Sequence, residues 1–198
     1  MEAAKATTIA KNDLSDELIR RCQDGSAEAS RELYECYKRK VYSLAIYMTG
    51  DAEMASDMSQ EIFLKVFRDL HTFRFESSFS SWLYRLATNT CLNALRNRPA
   101  RREVGIEEVT GTRQELDTGK SPEEQHLKQQ IQRTVREAIL ELKPSLRAVV
   151  VLRYIEALSY SEIAEVFSCS EGTVASRLSR AHRLLERKLK SLAWAISS

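Results

Sequence analysis

Leu158-Ser-Tyr-Ser-Glu-Ile-Ala-Glu-Val-Phe-Ser-Cys-Ser-Glu-Gly-Thr-Val-Ala-Ser-Arg-Leu-Ser-Arg180 reads as two short helices joined by a tight turn. Ser159 followed by Glu162 is a capping box, which satisfies two backbone donors at the start of the first helix. Ile163, Val166 and Phe167 give that helix its apolar side. Ser170 can cap the second helix, with Glu171 near the positive end of its dipole. At about 100° per residue, Val174, Leu178, Ala181 and Leu185 form one apolar stripe. Thr173, Ser176, Arg180, Arg183 and Arg187 fall on the opposite side, with Arg177 at the flank. A buried stripe backed by guanidinium and hydroxyl groups suits a DNA major groove, where arginine bonds guanine bidentately. A solvated bundle helix would share the amphipathic pattern. The capped partner helix and the three-residue turn Ser168 to Ser170 favour a helix-turn-helix.

Working outward, a helix from about Glu123 to Leu142 stops before Pro144, and another runs from Ser145 to about Ile155. The segment from Arg102 to Pro122 loses helical periodicity, gathers acids with Gly105, Gly111 and Gly119, and reads as a linker. Before it, four helices run from Ser15 to about Arg98, with breaks at Asp24-Gly25, at Thr49 to Asp51 and at Phe73 to Ser80. Leu33, Tyr37, Val41, Leu44 and Met48 line one side of the second helix. Met54, Met58, Ile62, Val66 and Leu70 line the third, and both stripes belong to one bundle core. The fold class is therefore all-α: a four-helix domain over 1–102, a flexible acidic linker over 103–122, and a four-helix domain with the helix-turn-helix over 123–198. The expected arrangement is two modules held at a distance.

A net charge of +2 hides segregation along the 198 residues. Residues 1–102 carry 16 basic and 14 acidic groups, 103–126 carry 2 and 7, and 127–198 carry 12 and 7. The balances are +2, −5 and +5, so two basic patches flank an acidic strip. No apolar run approaches the about 18 residues of a membrane span, and the first residues lack a signal-peptide core. A cytoplasmic protein without a membrane span is expected. Cys22, Cys36, Cys91 and Cys169 are scattered with no C-x-x-C pair, so neither a metal site nor a disulfide framework is indicated.

From Phe73 to Leu95 an aromatic, hydroxyl-rich loop feeds a helix on which Asn89 and Asn93 share a face. Amides of this kind can bond the Watson-Crick edge of an unpaired base, and Phe79, Trp82 or Tyr84 could offer stacking surface. Trp82 and Leu86 also fit a core. The acid-free run containing Arg85, Arg96, Arg98, Arg101 and Arg102 adds a phosphate-binding surface.

Three segments together give the chain a close resemblance to the extracytoplasmic-function (ECF) group of bacterial sigma factors, the small two-domain specificity subunits of RNA polymerase. They are Asp57-Met-Ser-Gln-Glu-Ile-Phe-Leu-Lys-Val-Phe-Arg68, Ser81-Trp-Leu-Tyr-Arg-Leu-Ala-Thr-Asn-Thr90, and Glu162-Ile-Ala through Gly172-Thr-Val-Ala-Ser-Arg-Leu-Ser-Arg-Ala181. The resemblance spans nearly the whole chain. It implies that Asp57, Gln60, Glu61, Phe63 and Leu64 dock on the polymerase clamp coiled coil. It implies that Arg74, Phe75, Ser78, Phe79, Trp82, Arg85, Asn89 and Asn93 open and capture the minus-ten element. Thr173, Ser176, Arg177, Ser179, Arg180 and Arg183 would read the minus-thirty-five element, and the linker would thread the RNA exit path. Core polymerase, duplex and single-stranded promoter DNA, and an anti-sigma factor are the implied partners, in a stress or envelope response. Ala175 stands where relatives often carry Arg or Lys, which removes one expected DNA contact.

A second reading is a helix-turn-helix repressor or activator whose helical first domain senses a ligand or dimerises. Such a regulator should bind a palindromic site without polymerase. An enzyme is the third: no Gly-Lys phosphate loop and no H-E-x-x-H occur, and His71, His126 and His182 lie far apart in sequence. No catalytic residues, cofactor or metal are expected.

Overall fold

The computed structural model describes residues 16–97 and 122–196, so most of the expected linker lies outside the described residues. Those residues form helices and connecting turns, with no strand among them. Helix α1 (Asp16–Gln23) starts on two acids and ends on two arginines, matching its dipole at both ends. Helix α2 (Ala27–Thr49) is capped by Ser26, whose Oγ accepts from the Ala29 N–H at 3.2 Å. It stops at Gly50, where a φ of 74° lets the backbone N–H return to the Ile46 carbonyl. Asp51 then caps α3 (Ala52–Asp69), accepting from Met54 N–H at 3.0 Å, and one 3₁₀ turn (Leu70–Thr72) closes it. Ser78 accepts from Ser81 N–H at 3.0 Å and so opens α4 (Phe79–Asn97).

The α2 stripe of Leu33, Tyr37, Val41, Leu44 and Met48 is buried, as are Ile62, Val66 and Leu70. Met54 and Met58 are only half-buried, at the rim.

In the second half, α5 (Pro122–Leu140) ends ahead of Pro144, which occupies the first turn of α6 (Pro144–Val150). The chain then widens into a π turn, Val151–Ile155. The Glu156 N–H consequently reaches back five residues to the Val151 carbonyl, at 3.1 Å. Helix α7 (Tyr160–Phe167) has both halves of its capping box: Ser159 Oγ accepts from Glu162 N–H, and the Glu162 carboxylate accepts from Ser159 N–H at 2.6 Å. Ser168 leaves α7 in the left-handed region, at φ 49°, and Ser170 accepts from Thr173 N–H at the start of α8 (Glu171–Ile196). Ser159→Ala should cost about 1 kcal/mol by removing the cap. Urea unfolding followed by circular dichroism would show it as a lower midpoint at unchanged slope.

The expectation that the halves stand apart is corrected by the structure. Their buried apolar residues form one continuous cluster, from Leu18 in α1 to Ala181 in α8. Arg147 of α6, only 8% exposed, crosses the junction to donate to the Met48 carbonyl at the end of α2, and also to the carbonyls of Leu140 and Leu142. Burial lowers its pKa to about 10, so at neutral pH it remains a cation facing helix C-termini. Sequence periodicity marks buried faces but not which neighbour covers them, and this junction is formed by faces that read as ordinary core.

Candidate nucleic-acid and polymerase interfaces

Helix α8 presents the first surface. Val174, Leu178 and Ala181 are buried against the rest of the second half, which turns Ser176, Ser179, Arg180 and Arg183 outward. Thr173 is half-buried, with its hydroxyl 3.0 Å from Ser170 Oγ. Arg177 is also half-buried, its guanidinium carbon 5.3 Å from the centre of the Phe167 ring, and a ring face at that distance attracts a cation. Arg177 is therefore held by the preceding helix, while Arg180 and Arg183 extend into solvent. Tyr154, exposed beside this face and 2.8 Å from the His182 ring nitrogen, was not singled out by the sequence reading. It lies within the π turn.

The second surface lies on α3. Asp57 and Gln60 are exposed, and Leu64 is 73% exposed, an unusual position for leucine. Glu61 is half-buried and paired with Lys65 at 2.5 Å, and Lys65 also reaches Thr90 Oγ1 on α4. Phe63 points inward and is buried. Its ring meets Tyr34 edge-on at 4.7 Å and stacks with Phe67 at 6.1 Å. Phe63 thus forms a floor, and Tyr34 and Phe67, both partly exposed, join Leu64 in an apolar patch. Their spacing carries the signal for Phe67, one turn beyond Leu64; Tyr34 comes from another helix and has none.

The third surface is the loop before α4 and the outer face of that helix. Gln23 of α1 donates to the carbonyls of Leu70 and Phe73, both at 2.9 Å, and so anchors the loop's start. Phe73, Phe79 and Trp82 then pack at 5.6 to 5.7 Å between ring centres, with Tyr37 behind Phe79 at 5.5 Å. Phe79 is 4% exposed and forms the base of this aromatic cluster, so it offers no stacking surface here; Trp82 keeps a partly open side. Phe75 adopts φ 59°, with Arg20 stacked on its ring, while Arg74 is exposed. Ser78 is occupied as the helix cap. Asn89 and Asn93 are exposed on one face of α4. Arg85 turns aside, its Nη2 donating at 2.7 Å to the Glu165 carbonyl of α7.

At the preceding residue, the buried Tyr84 hydroxyl donates to Glu156 Oε2 at 2.7 Å. Burial raises the Glu156 pKa above the ordinary carboxylate range, against the opposing pulls of Tyr84, Ser43 and Lys40. An acid with a raised pKa favours the packed form most when protonated. Its contribution is complete below the ordinary carboxylate value of about 4.3 and fades as pH rises through the raised value. The melting temperature should fall as pH rises from the ordinary carboxylate range through this window, and Glu156→Gln should flatten that slope in a pH series of thermal melts.

Cys22 and Cys91 are buried, and burial pushes the Cys91 thiol up to about 12, which keeps it protonated and inert. No group of side chains suited to a metal occurs among the described residues. Nor, among them, is any helix long and apolar enough to cross a membrane.

Residues 33–101 match the sigma-70 region 2 family, and residues 132–185 match sigma-70 region 4. The RNA polymerase sigma-H factor of Pseudomonas aeruginosa is 37% identical over 181 residues, covering 89% of this chain and 94% of that protein. The ECF RNA polymerase sigma factor SigW of Bacillus subtilis is 31% identical over 179 residues, covering 88% and 96%. Among solved structures, the sigma factor RpoE of Bartonella quintana, crystallised with the anti-sigma factor NepR, superposes with a TM-score of 0.61. It is 22% identical and covers 81% of this chain and 96% of that one, a likeness of fold.

Proposed function

Since the chain belongs to the extracytoplasmic-function sigma factors of bacterial RNA polymerase, we propose that its three surfaces divide the work of promoter-specific initiation. As a sigma factor it binds core polymerase and directs DNA-templated initiation; the reading as an autonomous repressor or activator gives way to this one. Residues 1–102 form the domain that meets core polymerase and the minus-ten element, 103–122 the connection, and 123–198 the domain for the minus-thirty-five element.

Leu64, with Tyr34 and Phe67 around it and Asp57, Gln60 and Glu61 at the rim, docks on the polymerase. Phe63 supports that patch from beneath. The exposed leucine with polar and acidic residues on the preceding turns carries this assignment, because burying an apolar centre inside a polar rim is the usual anatomy of a binding site. Trp82, Asn89 and Asn93, with Arg74 and Arg85 for phosphates, hold the opened strand; Phe75, Ser78 and Phe79 shape the loop that presents it. Thr173, Ser176, Arg177, Ser179, Arg180 and Arg183 read the duplex. Binding energy from unstacked bases favours strand opening, so the protein needs no covalent step, metal or cofactor of its own.

The work is done in the cytoplasm, where polymerase and chromosome are. The complex of a structurally similar sigma factor with an anti-sigma factor supports a protein inhibitor for this chain too. Co-purification from the native cell, followed by sequencing of polymerase-bound DNA, tests the assignment. Recovery with core subunits on a set of fragments sharing two spaced elements is expected, and recovery on palindromic sites without polymerase would overturn it.

A further inference from the structure

We propose that Arg20 and Gln23 of α1 are positioning residues for the loop before α4: they hold Phe75 in its left-handed conformation and thereby set how strictly that loop selects a base. The inference rests on the promoter-reading role above, which assigns no residue of α1.

Phe75 is the point that needs holding. Its φ of 59° lies in a region that a bulky side chain adopts only when its surroundings compel it. Left to itself, the backbone at Phe75 would return to negative φ, and the path from Arg74 to the start of α4 would change direction. Contacts on two sides prevent this. On one, the Phe75 ring packs against Phe73, with 4.9 Å between ring centres. On the other, the Arg20 guanidinium carbon sits 5.0 Å from the centre of the Phe75 ring. Gln23 fixes the chain on which this stack rests. Its Nε2 donates to the carbonyls of Leu70 and Phe73, both at 2.9 Å, so the two amide hydrogens are spent on the segment that delivers Phe75.

Arg20 and Gln23 lie three residues apart and so share a face of α1. Docking of that helix does not depend on them. Leu18, Ile19 and Cys22 are buried and anchor α1 in the core, whereas Arg20 is exposed and Gln23 half-buried. Nor does the negative end of the helix dipole by itself place a guanidinium over the loop. Arg21 answers the same helix end and turns instead toward Glu28, at 3.6 Å. Removing the Arg20 side chain therefore takes little from the core and releases Phe75. A loop that is correctly shaped only part of the time binds its base more weakly by that fraction, while a base that makes no use of the shape loses nothing. Lost positioning thus reads out as lost selectivity.

The test uses holoenzyme assembled from core polymerase and the full chain. It is titrated, by fluorescence anisotropy, with labelled single strands from the minus-ten region of a promoter recovered with wild type. Each strand carries A, C, G or T at the position of strongest preference. Arg20→Ala should weaken binding of the preferred base about three- to tenfold and of the others by less than about twofold. Core affinity and helix content should match wild type. Arg20→Lys, which keeps a cation able to sit over the ring, should recover part of the preference. Gln23→Glu, which sets acceptors against the two carbonyls, should narrow the preference as Arg20→Ala does; if it loses helix content, Arg20→Ala carries the test. In the free chain, amide hydrogen exchange over residues 73–78 should be faster in Arg20→Ala than in wild type. An equal loss for all four bases would make Arg20 a phosphate contact and overturn the proposal, as would unchanged loop exchange or an unchanged preference. The exchange readout needs neither polymerase nor DNA. Faster loop exchange in Arg20→Ala, beside a wild-type holoenzyme that prefers no base, would count against the promoter reading alone.

Discussion

Leu64→Asp is expected to weaken binding to core polymerase by about a hundredfold or more while leaving the protein folded. Full burial of a leucine at an interface contributes about 1.5 to 3 kcal/mol, and a carboxylate in its place must be desolvated as well. Because Leu64 is 73% exposed in the free chain, its replacement removes almost nothing from the core. Circular dichroism and melting temperature should stay at wild-type values while fluorescence-anisotropy titration with labelled sigma shows the loss. Phe63→Ala makes the contrast. That ring is buried between Tyr34 and Phe67, so its removal should cost about 3 to 5 kcal/mol of stability. Equal stability loss in both variants would mean that Leu64 is a structural residue.

Arg180→Ala is the second large effect. A bidentate arginine contact to a base contributes about 1 to 3 kcal/mol of discrimination, so initiation at a promoter dependent on its upstream element should fall about ten- to hundredfold. Core affinity and melting temperature should be unaffected, since Arg180 is exposed on α8. Arg177→Ala should differ in one respect: it also gives up the contact with Phe167, a further about 0.5 to 1 kcal/mol of stability. Run-off yield against sigma concentration, with thermal melts alongside, separates the two.

Local chemistry was legible wherever one residue satisfies a neighbouring backbone group. Ser159 with Glu162, Ser170, and Pro144 at the head of α6 all lie where capping rules put them, and the helix order follows from those stops. The π turn was not legible, because the run Ala148 to Leu152 is apolar on every side and shows no period to distort. Of the surface residues, the outward face of α8 could be read because its apolar stripe is clean. On α3 and α4 the same reasoning could not separate Leu64 from Phe63, or Trp82 from Phe79. Adjacent aromatics and aliphatics at such positions are sorted by what packs on them from α2, which spacing along one helix does not encode. The closed junction is a stronger case. Val151, Leu152 and Arg147 look like an ordinary core and its flank, and only the fold shows that they meet the first half.

Multi-fragment run-off transcription with purified core polymerase and genomic DNA tests the account most directly, using wild type, Leu64→Asp and Arg180→Ala in parallel. Wild type should produce discrete start sites, each preceded by two shared elements. Leu64→Asp should lose all of them, and Arg180→Ala only those that depend on the upstream element. Absence of core-dependent starts with wild type, or starts that survive both substitutions, would contradict it.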